Sequence, residues 1–72
     1  MPNRYIQSHE TRVRACRWSD RAAVLIAGWI RPDAPARVQQ AAHREACDQI
    51  ADADHVSCDL VMASLRELRR GR

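Results

Sequence analysis

Two histidine and cysteine pairs hold the densest chemistry in this chain, His43-x3-Cys47 and His55-x2-Cys58. Residues four apart share a helix face, so His43 and Cys47 could chelate one ion from a helix, and a helix start could bring His55 and Cys58 to the same ion. Two imidazoles with two thiolates would suit tetrahedral zinc. The order and spacing match no zinc-finger pattern, however, and paired CxxC knuckles are absent. Free cysteine is among the most buried residue types, so His43, Cys47, His55 and Cys58 read first as core thiols beside surface imidazoles. Zinc, and behind it a Cys47–Cys58 disulfide, are the alternatives; on the leading reading no cofactor is expected.

Catalytic groupings are sparser. Asp48, Asp52 and Asp54 beside His55 could serve a hard cation or a general base, but the EF-hand spacing with its Gly and final Glu is missing. Capping and solvation explain these acids more simply. Cys16 with His9, or Cys58 with His55, would each need a third residue to orient the imidazole and a cleft to hold substrate. The expectation is that the chain is not an enzyme.

Arginine is the other conspicuous residue. All twelve basic residues are Arg, with no Lys. The composition bias of a GC-rich genome, bacterial or phage, explains this before any selection for bidentate recognition of carboxylate or phosphate. The net charge of +3 is mild but unevenly spread. Residues 1–21 carry +3, 22–44 carry +2, 45–60 carry −5 through Glu45, Asp48, Asp52, Asp54 and Asp59, and 61–72 carry +3. An acidic waist between basic ends could steer a charged partner or pair ends to waist in a homodimer. The stripe Arg14, Arg17, Arg21 and the tail Arg66, Arg69, Arg70, Arg72 are the places where nucleic acid could bind. A helix-turn-helix is poorly served, since a third helix opening with Asp54 and Asp59 would meet phosphate with the wrong sign, and stacking aromatics for single strands are missing.

These groups must be positioned by helices. Ser8 offers an N-cap with Glu10 in the first turn, after an irregular lead-in over residues 1–7. Ala15, Trp18, Ala22, Leu25 and Trp29 recur at steps of three or four, which predicts one face of a helix over 9–30 with both Trp rings pointing the same way. The alternation Arg12-Val13-Arg14-Ala15 allows a rival, in which residues 4–17 form a strand or hairpin and Ser19 caps a shorter helix. In either case the apolar run Ala23-Val24-Leu25-Ile26-Ala27 should be central to the core. Arg31-Pro32 ends that element. Asp33 should cap a second helix over 34–51, with Pro35 in its first turn and Val38, Ala41, Ala42, Ala46, Cys47 and Ile50 turned inward. Asp54 or Ser57 should cap a third, reaching Arg70, with a seam of Cys58, Val61, Leu65 and Leu68. The fold expected is all-α, a single-domain three-helix bundle spanning residues 1–72.

Size bounds what such a bundle can do. A chain of 72 residues buries only about 60% of its unfolded surface, against an ordering cost of roughly 1–2 kcal/mol per backbone residue. A deep substrate pocket is hard to fit. The longest apolar run, Ala22 to Ile30, is too short to span a membrane, which takes about 20 residues. An odd number of cysteines and no secretory signal point to a reducing, cytoplasmic setting. The expected function is therefore a small helical protein-binding module: a regulator, adaptor or inhibitor of a larger bacterial or phage assembly. Arg14, Arg17, Trp18, Arg21, Arg66, Arg69 and Arg70 are its candidate contact residues, an acidic or mixed protein surface its target, and homodimer formation plausible. A small basic DNA- or RNA-binding regulator is the second reading, and a zinc-stabilised module the third.

Overall fold

A computed structural model of the chain describes residues 9–70. Three helices account for nearly all of it: α1 His9–Trp29, α2 Ala36–Asp54 and α3 Cys58–Arg70, each packed against the other two. Residues 12–17 lie within α1, which continues through Ser19 unbroken, so the long-helix reading holds over the strand or split alternatives. Ser8 as a cap and the lead-in 1–7 fall outside the described residues. No helix among the described residues is long and apolar enough to cross a membrane.

The connections follow local chemistry, with two shifts from expectation. Arg31 accepts a hydrogen bond from the Ala34 N–H at 3.1 Å, which makes Arg31 to Ala34 a β-turn with Pro32 at its second position, where a fixed φ is favourable. Asp33 is therefore a turn residue and not a helix cap. α2 begins two residues later than expected, after an extended Pro35, and no side chain caps it. Gln39 steadies the entry instead, its amide donating to the Ala34 carbonyl at 2.8 Å.

The far end of α2 runs three residues past the expected Ala51, to Asp54, and closes on His55 in the left-handed region (φ 58°, ψ 43°). The His55 N–H bonds back to Asp52, and the Val56 N–H bonds to the Ala51 carbonyl at 3.0 Å, with Val56 packed on the core. This is the Schellman arrangement, with histidine where glycine is usual. Asp54 thus ends α2, and Ser57 alone opens α3, its hydroxyl accepting the Leu60 N–H at 3.1 Å.

The core is built from Trp18, Ala22, Ala46, Cys47, Ile50, Ala51, Val61 and Leu65, with Leu25, Ile26 and Leu68 partly covered at its edge. Alanine lets the helices approach closely but contributes little buried area. Trp18 is the exception, and its indole N–H is satisfied by the Asp54 carboxylate at 2.6 Å, while the Arg14 guanidinium lies 5.0 Å from the ring centre.

Two apolar expectations fail. The run 23–27 is not central to the core: Val24 is 72% exposed, Ala23 and Ala27 are also on the surface, and only Leu25 and Ile26 are half-buried. Five consecutive helical residues point all round the axis, and a helix in a three-helix bundle is covered on one side only. Trp29, in phase with Trp18, is 42% exposed because it is the last residue of α1 and overhangs the packed region. On α2, Val38 and Ala41 are likewise exposed, and Ala51 joins the buried set.

Candidate docking groove

The histidines and cysteines do not converge. His43 and Cys47 stand one helical turn apart, with Sγ 3.9 Å from the imidazole Nδ1. Cys58 lies near them across the α2–α3 contact, where Asp48 accepts its thiol hydrogen bond, while His55 is an exposed turn residue. Among the described residues no group of three or more His, Cys, Asp or Glu side chains is placed to hold a metal ion. Cys16, Cys47 and Cys58 are all free thiols, and no Cys47–Cys58 disulfide links the helices.

The electrostatics of the pair run against thiol chemistry. Burial, and then the Asp48 carboxylate, push the Cys47 thiol up. Burial, and then the Arg69 guanidinium, hold His43 below its ordinary 6.5. A thiolate–imidazolium couple needs both shifts reversed. Cys58 is pushed up to about 11, first by its hydrogen bond to Asp48 and then by burial.

The expected contact residues scatter over several faces. Trp18 is 3% exposed and belongs to the core, so it offers no surface to a partner. Arg14 is half-buried over that ring. Arg17, Arg21, Arg66 and Arg70 are solvent-exposed. Only Arg69 reaches a concave feature.

That feature lies where the three helices leave a gap. The C-terminal half of α1 and the N-terminal half of α2, together with Met62 and Arg69 of α3, enclose an open groove of about 990 Å³. Ile26, Ala27, Ile30, Ala36 and Met62 give it an apolar floor, and Arg31, Arg37, Arg44 and Arg69 stand round it. No carboxylate lines it. A second hollow of about 710 Å³, lined by Arg12, Cys16, Asp20 and Leu68, adjoins it across Ala23, Ile26, His43 and Arg69.

No known family, curated protein or solved structure matches the chain. None of the four groove arginines forms an ion pair among the described residues. His43 at the junction is held toward its neutral form, which leaves the arginines as the only formal charges lining the larger groove at neutral pH. Apolar floor, basic rim and lack of any acid together make a surface that can take an apolar ridge flanked by negative charge.

Sequence reasoning missed Arg31, Arg37 and Arg44 as a set because they are spaced over a turn and a helix and share no periodicity. One signal was nevertheless present: an apolar run on all sides of α1 near its end leaves a side uncovered in a helix that packs on one face.

Proposed function

We propose that this chain is a small helical interaction module, without catalytic chemistry of its own, that regulates, adapts or inhibits a larger protein by docking it in the groove at the α1–α2 end. One observation supports the reading above the others: an apolar floor formed by Ile26, Ala27, Ile30, Ala36 and Met62 is left uncovered and ringed by unpaired arginines. Contiguous exposed apolar surface with a polar rim is what protein interfaces use, and arginine is enriched there. A cytoplasmic location, where the three free thiols stay reduced, is part of this reading.

Capture from the native host tests it, with and without nuclease. The wild type is compared with Ala27→Glu/Ile30→Glu in the groove and with Arg17→Glu/Arg21→Glu on the other side of α1. The expected result is a protein partner that survives nuclease, is lost with the groove variant and is retained by the other. Loss on nuclease treatment together with loss in the Arg17/Arg21 variant would establish the nucleic-acid reading in its place.

A further inference from the structure

We infer that a second copy of this chain docks on the outer face of α1, the two helices running antiparallel about a two-fold axis at the level of Trp18 and Ser19. This goes beyond the docking reading above, because none of the residues involved lines the larger groove.

The face is defined by spacing. Val13, Arg17, Asp20 and Val24 follow one another at steps of four, three and four residues, so on a helix of about 3.6 residues per turn they form one stripe. That stripe lies about half a turn round from Ala15, Trp18 and Ala22, the residues that α1 buries. All four are exposed, Val24 at 72% and Val13 at 44%, so the stripe holds two of the exposed large hydrophobic residues. Neither Arg17 nor Asp20 has an ion-pair partner among the described residues.

The stripe is self-complementary. Val13 and Val24 are equally far from the midpoint between Trp18 and Ser19, and so are Arg17 and Asp20. When two copies are apposed antiparallel about that midpoint, residues equally distant on opposite sides come to the same height, and each contact occurs twice. Each Val13 then meets the second copy's Val24, and each Arg17 meets the second copy's Asp20. Two apolar contacts bracket two charge pairs. A parallel pair would instead set Arg17 against Arg17 and Asp20 against Asp20, which like-charge repulsion disfavours.

Other occupants fit less well. Nucleic acid would be drawn to Arg17 and Arg21, but Asp20 and two valines on the same line would face its phosphates. A protein surface of one sign gains from Arg17 or Asp20 only what it loses to the other. The outer face of α2 also carries both signs, in Arg37, Arg44, Glu45 and Asp52, but its centre line holds Ala41 and Asp48 and no larger apolar side chain.

Sedimentation equilibrium of the whole chain tests this, over roughly 10 µM to 1 mM because one helix pair is a small interface. The wild type should dimerise within that range. Val24→Glu, Arg17→Asp and Asp20→Arg, each checked for retained helicity by circular dichroism, should weaken association at least tenfold. An equal mixture of Arg17→Asp and Asp20→Arg copies should recover it, since one stripe is then all acidic and the other all basic. Glu45→Arg/Asp52→Arg on α2 should dimerise as the wild type does. The antiparallel register is read in Cys16→Ser copies carrying Val13→Cys or Val24→Cys: on oxidation the mixture should form the mixed disulfide, and neither copy should link to itself. A wild type that stays monomeric at the top of the range, dimers untouched by the α1 substitutions, a mixture that fails to re-associate, or Val24→Cys copies that link to themselves would each overturn the assignment. Monomeric Val24→Glu should still capture a protein from the host through the groove, so an empty capture beside an intact dimer would count against the docking reading alone.

Discussion

Removing the Asp54 carboxylate tests whether one polar contact holds α1 to the end of α2. The Trp18 indole N–H donates to Asp54 Oδ2 at 2.6 Å; the Trp18 side chain is 3% exposed but Asp54 lies on the surface, so the bond is part-buried and water can replace the lost acceptor only in part. Leaving a buried donor unpaired costs about 1–3 kcal/mol, and this part-buried bond belongs near the middle of that range. A domain of this size has a total stability of about 4–11 kcal/mol at ~0.05–0.15 kcal/mol per residue. Asp54→Ala at about 2 kcal/mol would therefore remove a large fraction of it and lower Tm by roughly 8–16 °C. Asp54→Asn keeps an oxygen acceptor and should cost about half as much. Urea unfolding followed by circular dichroism measures both. Trp18→Phe deletes the donor, so in a double-mutant cycle the two substitutions should couple by about 1–2 kcal/mol. Additive effects, or an Asp54→Ala variant within about 0.3 kcal/mol of the wild type, would refute the assignment of the contact as a stabilising tie.

Four further outcomes follow from particular positions. His55→Gly relieves a left-handed conformation held by a β-carbon-bearing residue (φ 58°) and should stabilise the protein by about 1 kcal/mol in the same urea assay. Ser64 is 1% exposed and its hydroxyl has no hydrogen-bond partner, so Ser64→Ala should stabilise by about 1 kcal/mol; a loss of stability would mean the hydroxyl is satisfied after all. Because folded His43 binds its proton at lower pH than the ordinary 6.5, the unfolded chain takes up protons first. Stability should therefore drop as pH falls through 6.5 and level off once the folded imidazole is protonated, an effect His43→Gln should remove from the pH–stability curve. The Cys58 thiol ionises near 9.0 unfolded and about 11 folded, so the folded form keeps a proton that the unfolded form releases. Its contribution should be lost as pH rises from 9 to about 11, and at pH 8 a disulfide reagent should label exposed Cys16 well before Cys58 or buried Cys47.

Periodicity made the helices legible and left their surroundings hidden. The steps linking Ala15, Trp18 and Ala22, and those linking Ala42, Ala46 and Ile50, mark the faces that are in fact buried. Pro32 ended α1 where ring geometry requires, and Ser57 capped α3 as its side chain allows. What failed depended on neighbours. Trp29 shares a face with Trp18, but burial needs something opposite, and a residue at the helix end has nothing there. Asp33 and Asp54 have good capping chemistry, yet one was taken by a β-turn and the other by the indole of Trp18, a contact 36 residues away in sequence. The zinc set was plausible along the chain because His55 and Cys58 are close in number. The left-handed turn at His55 takes the two apart, placing one on the surface and the other against Asp48. The groove arginines come from the α1–α2 turn and from two helices, and only the packing of the three helices brings them round one floor.

The open groove has opposite effects on stability and on the proposed docking. Ile26, Ile30 and Met62 are only half-buried on its floor, so apolar surface worth about 25 cal/mol for each Å² withdrawn from water stays exposed beside a core that relies on alanine and a single tryptophan. Arg31, Arg37, Arg44 and Arg69 line the same groove with no carboxylate among its lining residues. A partner that covers the floor and brings acids to its rim would gain from both. On the proposed reading, the stability withheld from the isolated chain is recovered when such a partner binds, since a ligand that prefers the folded state adds its binding free energy to folding. The melting temperature should then rise with the concentration of any true partner, and should not move for a protein that merely matches the net charge.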